Sequence, residues 1–201
     1  MKLYSLGYAT ISLLEFIKIL KEKEINSIAD VRSLPYSKRF FEYNREDFAK
    51  ALKKESIHYV YLGEGLGPRS LALSNYDSDG QVQFEKLKKT YEFKRDVERL
   101  QTGLSKGYSI AMMCAEKKPE TCHRSLLIGE SLLHQYDVDT KHILHNKNIE
   151  LQSELEHRIM RERGCSVDFF SSENELLKQA MNEQIKEFAY KRPIENQLTP
   201  K

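Results

Sequence analysis

Five residues that can carry out chemistry lie within eleven positions of one stretch. The segment CAEKKPETCHR contains Cys114, Glu116, Cys122, His123 and Arg124. These residue types supply a thiol nucleophile or metal ligand, a carboxylate acid or base, and a guanidinium that binds anions. This density of reactive groups makes the stretch the first candidate for a functional site.

The residues around this stretch predict a strand, a loop and a helix. The apolar run IAMM at 110–113 is typical of a strand buried on both faces, although a buried helix segment can share that pattern. A polar loop follows Cys114, and leucines then recur at helical spacing from Arg124 onwards. Ligands of open α/β sheets bind beyond the carboxyl ends of the strands, so we expect these side chains to line such a crevice.

The whole chain predicts an α/β fold, with a mostly parallel sheet of about five strands flanked by helices. β-type segments at 3–8, 25–31, 57–62 and 142–144 accompany the run at 110–113, and amphipathic helical segments separate them. One long helix is expected between Phe84 and Gly103, and a mobile loop at 63–70. We predict an α/β domain over residues 1–146 and an appended helical segment over 147–201, where Glu, Lys, Gln and Arg become frequent.

Composition narrows the class of protein. The 201 residues carry a net charge of +2, which is too mild to imply nucleic acid or a membrane surface by itself. There is no secretory signal pattern and no apolar run long enough to span a bilayer, so we expect a cytoplasmic protein without a membrane partner. Three cysteines are too few for a disulfide scaffold and are expected to be reduced.

A second group of polar residues follows the predicted second strand. Asp30 and Arg32 stand at its carboxyl end, and the loop SLPYSKRFFE then combines cationic side chains with aromatic ones. This mixture suits base stacking with phosphate pairing, or a cationic loop whose aromatic residues anchor it to the core. Arg69, after the glycine-rich GEGLGP, is a further candidate to contact an anion.

With these motifs in place, the sequence resembles the domain-of-unknown-function 488 family. The resemblance rests on LGYAT, ADVRSLPYSKRF, IHYVYLGEGLGPR and MCAEKKPETCHR, and it covers roughly residues 3–145. It implies an α/β domain with a site built from these motifs, but no particular reaction. Tyr8 and Ser37 enter the candidate site as motif residues.

Each of these residues also has a purely structural interpretation. Asp30 with Arg32 or Arg124 also fits a buried ion pair, His123 fits a hydrogen bond to a loop carbonyl, and Cys114 fits a packed apolar residue. Seven residues separate the first two cysteines, and His123 directly follows the second; common zinc motifs have neither spacing. We therefore assign no metal ligand, and the sequence identifies no cofactor.

The pattern is best explained by an enzyme acting on a phosphorylated, nucleotide or nucleic-acid substrate. The expected substrate-binding residues are Tyr8, Arg32, Ser37, Arg69 and Arg124. The expected catalytic residues are Asp30, Cys114, Glu116, Cys122 and His123, with the two carboxylates as acid and base. The alternatives are a non-catalytic module that binds nucleic acid or a partner protein, and a Cys/His metal or redox site. The sequence does not determine the oligomeric state.

Overall fold

A computed structural model describes residues 2–165 and 172–193 of the chain. The strands are β1 (Leu3–Gly7), β2 (Ser27–Asp30), β3 (His58–Tyr61), β4 (Ile110–Cys114), β5 (Lys141–Ile143) and β6 (Ile149–Leu151). The helices are α1 (Leu13–Glu22), α2 (Arg45–Lys54), α3 (Gly63–Leu66), α4 (Phe84–Leu87), α5 (Tyr91–Ser105), α6 (Glu130–Tyr136), α7 (Gln152–Glu162) and α8 (Glu173–Phe188). Short 3-10 turns occur at Phe41–Tyr43, Leu73–Asn75 and Pro119–Thr121, and a π-helical turn at Arg124–Gly129 leads into α6.

The strands form one sheet in the order β3-β2-β4-β1-β5-β6. All neighbours pair in parallel except β5 and β6, which are antiparallel. This strand arrangement confirms the predicted α/β fold, in which helices flank a mostly parallel sheet. The expectation of helices alone beyond residue 146 is wrong in one respect, because β6 forms there and extends the sheet edge.

The two faces of the sheet bury different helices. On one face, Leu6, Ile28 and Met113 pack in a cluster with residues of α1 and α2 such as Phe16 and Phe48. On the other, residues of β2 and β4 share a cluster with apolar residues of α5, the π turn, α7 and α8. Helices cover both faces, and the chain leaves β1 and β4 in opposite directions across the sheet, so the crevice beyond these strands is the expected ligand site of such folds.

Two local predictions differ from the structure. The expected long helix is divided into α4 and α5, because Thr90 caps the second helix by accepting a hydrogen bond from the Phe93 amide. The expected loop at 63–70 begins with the short helix α3. A Cβ at Gly65 would overlap the Glu92 carbonyl oxygen, so the missing side chain lets α3 approach α5 closely. Among the described residues, no helix combines the length and apolar character needed to cross a bilayer.

A chain of buried hydrogen bonds connects the candidate site with α7. Ser5 Oγ accepts from Arg124 Nε at 3.2 Å and lies 2.6 Å from His142 Nδ1. His142 Nε2 lies 2.7 Å from Gln152 Oε1, and Gln152 Nε2 donates to Glu156 Oε1. Since the amide oxygen can only accept, His142 donates from Nε2, and its Nδ1 accepts from the Ser5 hydroxyl. The chain therefore requires a neutral His142.

Acid should destabilise the fold through His142. Burial and then the Arg124 charge lower the pKa of His142 to about 3, far below the ordinary value of 6.5. Between these two values the unfolded chain binds the extra proton, so this contribution is full above pH 6.5 and falls by up to about 1.4 kcal/mol per pH unit as the pH decreases. Urea unfolding across this range should show a smaller acid dependence in His142→Gln than in the wild type.

The matched control for that measurement is His58→Gln, because His58 is exposed on the edge strand β3. This variant should keep the acid dependence of the wild type. An equal acid dependence in His142→Gln would contradict the assignment of a neutral, buried His142.

Candidate functional site

A crevice of about 230 Å³ opens beyond the carboxyl ends of β1, β2 and β4. Tyr8 follows β1, Arg32 follows β2, and Glu116 follows β4. The crevice is lined by Tyr8, Arg32, Ser33, Leu34, Tyr36, Ser37, Pro68, Arg69, Ala115, Glu116 and His123. Six of the ten residues predicted for the site thus line a single crevice, and the other four lie beneath it.

Close backbone contact between β1 and the loop after β4 forms the floor of the crevice. The amide of Tyr8 donates to the Cys114 carbonyl at 3.1 Å, and the amide of Ala9 donates to the Ala115 carbonyl at 3.0 Å. A Cβ at Gly7 would overlap the carbonyl oxygen of Glu116. Gly7 is therefore required for the Glu116 loop to cross the end of β1.

Asp30 and Arg32 form a buried, bidentate ion pair. Arg32 Nε donates to Asp30 Oδ1 at 2.8 Å, and Arg32 Nη2 donates to Asp30 Oδ2 at 2.6 Å. The Tyr59 hydroxyl also donates to Oδ2, at 2.7 Å. Burial alone would lower the pKa of Arg32, but hydrogen bonds and charge from Asp30 raise it, so Arg32 stays cationic. Because both Asp30 oxygens are occupied, Asp30 orients Arg32 and has no oxygen free for a substrate.

Most donors of Arg32 are already used within the protein. Besides the Asp30 contacts, Nη2 donates to the Tyr43 carbonyl at 2.9 Å, and Nη1 donates to the Tyr8 hydroxyl at 3.3 Å. The Tyr8 ring stacks on the Tyr43 ring, with centroids 4.2 Å apart. A guanidinium has five N–H groups, so one Nη1 hydrogen of Arg32 is left for a ligand in the crevice.

Arg124 is fully buried beneath the crevice. Nη1 donates to the Glu116 carbonyl at 2.7 Å and to Cys114 Sγ at 2.8 Å, while Nη2 donates to the Lys117 carbonyl at 3.1 Å. Burial would lower the pKa of Arg124, but the neighbouring Cys114, Cys122 and Glu116 raise it, and the guanidinium remains cationic. Arg124 therefore fixes the loop after β4 and does not itself reach the crevice.

The two cysteines of the motif face each other under the same loop. Cys114 Sγ and Cys122 Sγ lie 2.9 Å apart, both side chains are buried, and Cys114 belongs to the core cluster beside α5 and the π turn. Burial and the contact with Cys122 raise the pKa of the Cys114 thiol well above its ordinary value, although Arg124 acts in the opposite direction. Neither thiol lines the crevice.

Glu116 and His123 connect the thiols with the crevice. Glu116 is exposed, and its Oε2 lies 3.2 Å from Cys122 Sγ. Partial burial would raise the pKa of Glu116, but the His123 imidazole and hydrogen bonds from the thiols lower it, so the group is a carboxylate near neutral pH. His123 Nε2 donates to the Val31 carbonyl at 2.9 Å, which leaves Nδ1 as an acceptor 3.6 Å from Cys122 Sγ.

Ser37 and Arg69 lie on the walls of the crevice. Ser37 Oγ accepts hydrogen bonds from the amides of Arg39 and Phe40, so its hydroxyl shapes the loop. Arg69 is exposed, its amide donates to Ser33 Oγ, and its guanidinium lies over the Tyr190 ring at 4.8 Å. Arg69 forms no ion pair within the described part of the chain. The arginines that do form ion pairs there are Arg32, Arg95, Arg99, Arg158 and Arg163.

Sequence reasoning did not identify several residues that support the site. Ser5 contacts Arg124, Tyr59 contacts Asp30, and Tyr43 stacks on Tyr8. Ser5 does have a recognisable signal, since it is a polar residue within the otherwise apolar strand segment LYSLG, whereas Tyr59 lies beside His58 and Tyr61 and does not stand out. A buried polar group requires a partner, and that requirement would have indicated contacts with the charged motif residues.

Loss of the Asp30 charge should destabilise the fold strongly. Asp30→Asn leaves the buried Arg32 guanidinium without a counter-charge, which costs about 3–5 kcal/mol. Tyr59→Phe removes one hydrogen bond to the same carboxylate but keeps the ion pair, so it should cost only about 1 kcal/mol. Urea denaturation of both variants measures the difference, and equal losses would show that the ion pair has no special weight.

Comparison with known proteins gives one match. The family model described as Domain of unknown function DUF488 matches residues 12–130, which include Asp30, Arg32 and the whole segment from Cys114 to Arg124. The searches of curated proteins and of solved structures found no match. Because the matched region covers more than half of the 201 residues, the chain belongs to the DUF488 family.

Proposed function

We propose that the protein is an enzyme whose crevice binds an anionic substrate: a phosphorylated metabolite, a nucleotide or the end of a nucleic acid. The observation that carries the proposal is the free cationic surface of the crevice. The Arg69 guanidinium makes no ion pair with a described carboxylate, and Arg32 retains one unused N–H group. Guanidinium groups bind phosphate oxygens through charge-assisted hydrogen bonds.

The rim of the crevice supports a ligand with an apolar or aromatic part. Leu34 and Tyr36 line the crevice and are exposed. Lys38 and Arg39 follow them in the same loop, and both are exposed as well. Aromatic side chains beside cationic ones suit a base attached to a phosphate, since the ring can stack while the cation binds the anion.

A second cavity of about 480 Å³ adjoins the crevice and shares Ser33 and Arg69 with it. It extends along α3 to Asn75 and Thr90. The two cavities together offer room for a substrate larger than inorganic phosphate. Arg69 then stands between the two parts of the proposed binding site.

Within this proposal, Glu116 is the catalytic base. It lines the crevice as a carboxylate at neutral pH, so it is placed to accept a proton from a substrate hydroxyl or water there. Asp30 and Arg124 act as positioning residues, because their polar atoms are already bound within the protein. Cys114, Cys122 and His123 shape the wall beneath Glu116.

The proposal places the protein in a reducing compartment such as the cytoplasm. Support comes from the cysteines, since Cys114, Cys122 and Cys165 are all free thiols. Free thiols are usual in proteins of reducing compartments and uncommon in secreted ones.

Anion binding should depend on Arg69. Titration calorimetry with pyrophosphate, adenosine triphosphate and a short single-stranded DNA should identify a ligand of the wild-type protein. Arg69→Ala removes a charge-assisted contact, so it should weaken that ligand roughly 10- to 100-fold. Arg161→Ala is the matched control, because Arg161 is exposed on α7 and does not line the crevice. Unchanged affinity in Arg69→Ala would contradict the proposed anion site.

Catalysis and simple binding are separated by Glu116→Gln. For an enzyme, this variant should keep the affinity for the identified ligand while turnover falls by roughly 100-fold or more, as expected on loss of a general base. If the wild-type protein binds the ligand but converts none of it, the crevice is instead the binding surface of a non-catalytic module.

A further inference from the structure

The loop beneath the crevice brings three metal-ligating atoms together. Cys114 Sγ, Cys122 Sγ and a carboxylate oxygen of Glu116 all lie within 4.8 Å of one another. The two sulfurs are 2.9 Å apart, and Glu116 Oε2 is 3.2 Å from Cys122 Sγ. Cys114 ends β4, Glu116 lies in the loop after it, and Cys122 comes just before His123. The fold of this loop brings the three side chains closer together than their spacing in the sequence suggests.

We propose that Cys114, Cys122 and Glu116 bind a divalent zinc-type cation. The bound ion would take up the Glu116 carboxylate, so Glu116 acts as a ligand in the metal-bound protein and as a free base only in the metal-free protein. Thiolates favour zinc among the common divalent ions, and a carboxylate is an accepted third ligand. With zinc–sulfur bonds of about 2.3 Å in a tetrahedral site, two thiolates stand about 3.8 Å apart. The sulfurs would therefore separate by less than about 1 Å to admit the ion. The exposed Glu116 gives the ion a path from solvent.

The buried Arg124 is the independent argument for this site. Its Nη1 donates to Cys114 Sγ at 2.8 Å, and its backbone amide donates to Cys122 Sγ at 3.5 Å. The side-chain donors otherwise reach only a hydroxyl and two backbone carbonyls, so Arg124 contacts no carboxylate group. A fully buried cation requires a compensating negative charge. Two thiolates, one carboxylate, a divalent ion and Arg124 together have no net charge.

The same argument disfavours a Cys114–Cys122 disulfide as the native state. Disulfide formation removes two protons and two electrons from the thiols, and the neutral product offers Arg124 no anionic sulfur. Arg124 would then be a buried cation facing a neutral group, which is the costly arrangement. A bound cation, in contrast, keeps both sulfurs anionic beside the guanidinium.

His123 lies beside the three ligand atoms without joining them. Nε2 donates to the Val31 carbonyl at 2.9 Å and Nδ1 faces Cys122 Sγ at 3.6 Å, but neither ring nitrogen lies within 4.8 Å of all three ligand atoms. The fourth position therefore belongs to a molecule that enters from the crevice.

Metal content of the purified protein tests the proposal. Protein prepared without chelators from zinc-supplemented medium should contain about one zinc per chain by plasma mass spectrometry. Cys114→Ser and Cys122→Ser should lose most of that metal, while Cys165→Ser, the matched control at the chain's third cysteine, should retain it. Arg69→Ala should also retain it, because this site does not depend on the proposed anion site.

Cobalt exchange makes the test independent of whether the cysteine variants fold. Co²⁺ in the wild-type protein should give sulfur-to-metal charge-transfer absorption and the visible bands of a tetrahedral thiolate site. Glu116→Gln, a change at an exposed side chain, should weaken Co²⁺ binding roughly tenfold or more. Wild-type protein that is metal-free and binds no Co²⁺ would overturn the proposal. A mass lower by two hydrogens in such protein would assign the pair to redox chemistry instead.

Discussion

Burial of the Arg124 guanidinium is the constraint on which the candidate site depends. Its donors fix the carbonyls of Glu116 and Lys117, one sulfur of the cysteine pair and the hydroxyl of Ser5 on β1. A cation without solvent must satisfy every donor and find a compensating charge, so the loop after β4 has little freedom to move. Arg124 thereby holds the Glu116 backbone and the Cys114 side chain in place, and Gly7 leaves room for the Glu116 carbonyl above the end of β1.

The charged groups of the site form two layers with different tasks. The inner layer contains Asp30, Arg124 and the cysteines, which are buried and bound to one another or to the backbone. The outer layer contains Arg69 and Glu116, which are exposed and face the crevice. Arg32 and His123 lie between the layers: both line the crevice, Arg32 binds Asp30, and His123 contacts Cys122. Rigid support beneath a few free groups is the arrangement that a precise binding site needs.

The sequence predicted the fold correctly in the segments whose pattern of apolar residues reflects burial. The apolar run before Cys114 and the alternation of helices and strands led to the correct fold class, because a parallel sheet buries its strands on both faces. The antiparallel strand β6 was missed, since three half-exposed residues, Ile149 to Leu151, carry no clear periodicity. The division of the long helix also escaped notice, because helical spacing of apolar residues continues through the Thr90 cap.

The residue types in the sequence predicted the location of the candidate site better than they predicted the role of each residue in it. The motifs at Asp30 and at Cys114 do meet beneath the crevice, but sequence cannot tell a buried guanidinium from one that faces a ligand. Asp30 and Arg32 form a buried ion pair, and His123 donates to a backbone carbonyl. Both contacts match the structural alternatives that the sequence offers for these residues. Whether a polar side chain is free depends on partners distant in sequence, such as Tyr59 for Asp30 and Ser5 for Arg124.

The π-helical turn at Arg124–Gly129 has a consequence for the length of the chain. All six of its residues are buried, which a regular α-helix with one solvent-facing side would not achieve. A π turn contains one residue more than the corresponding α-helical turn. Deleting one residue here would convert the π turn into a regular α-helical turn and leave the orientation of the residues after it nearly unchanged. Leu132 would then stay in the core, and the cost would be one of the six buried side chains of the turn.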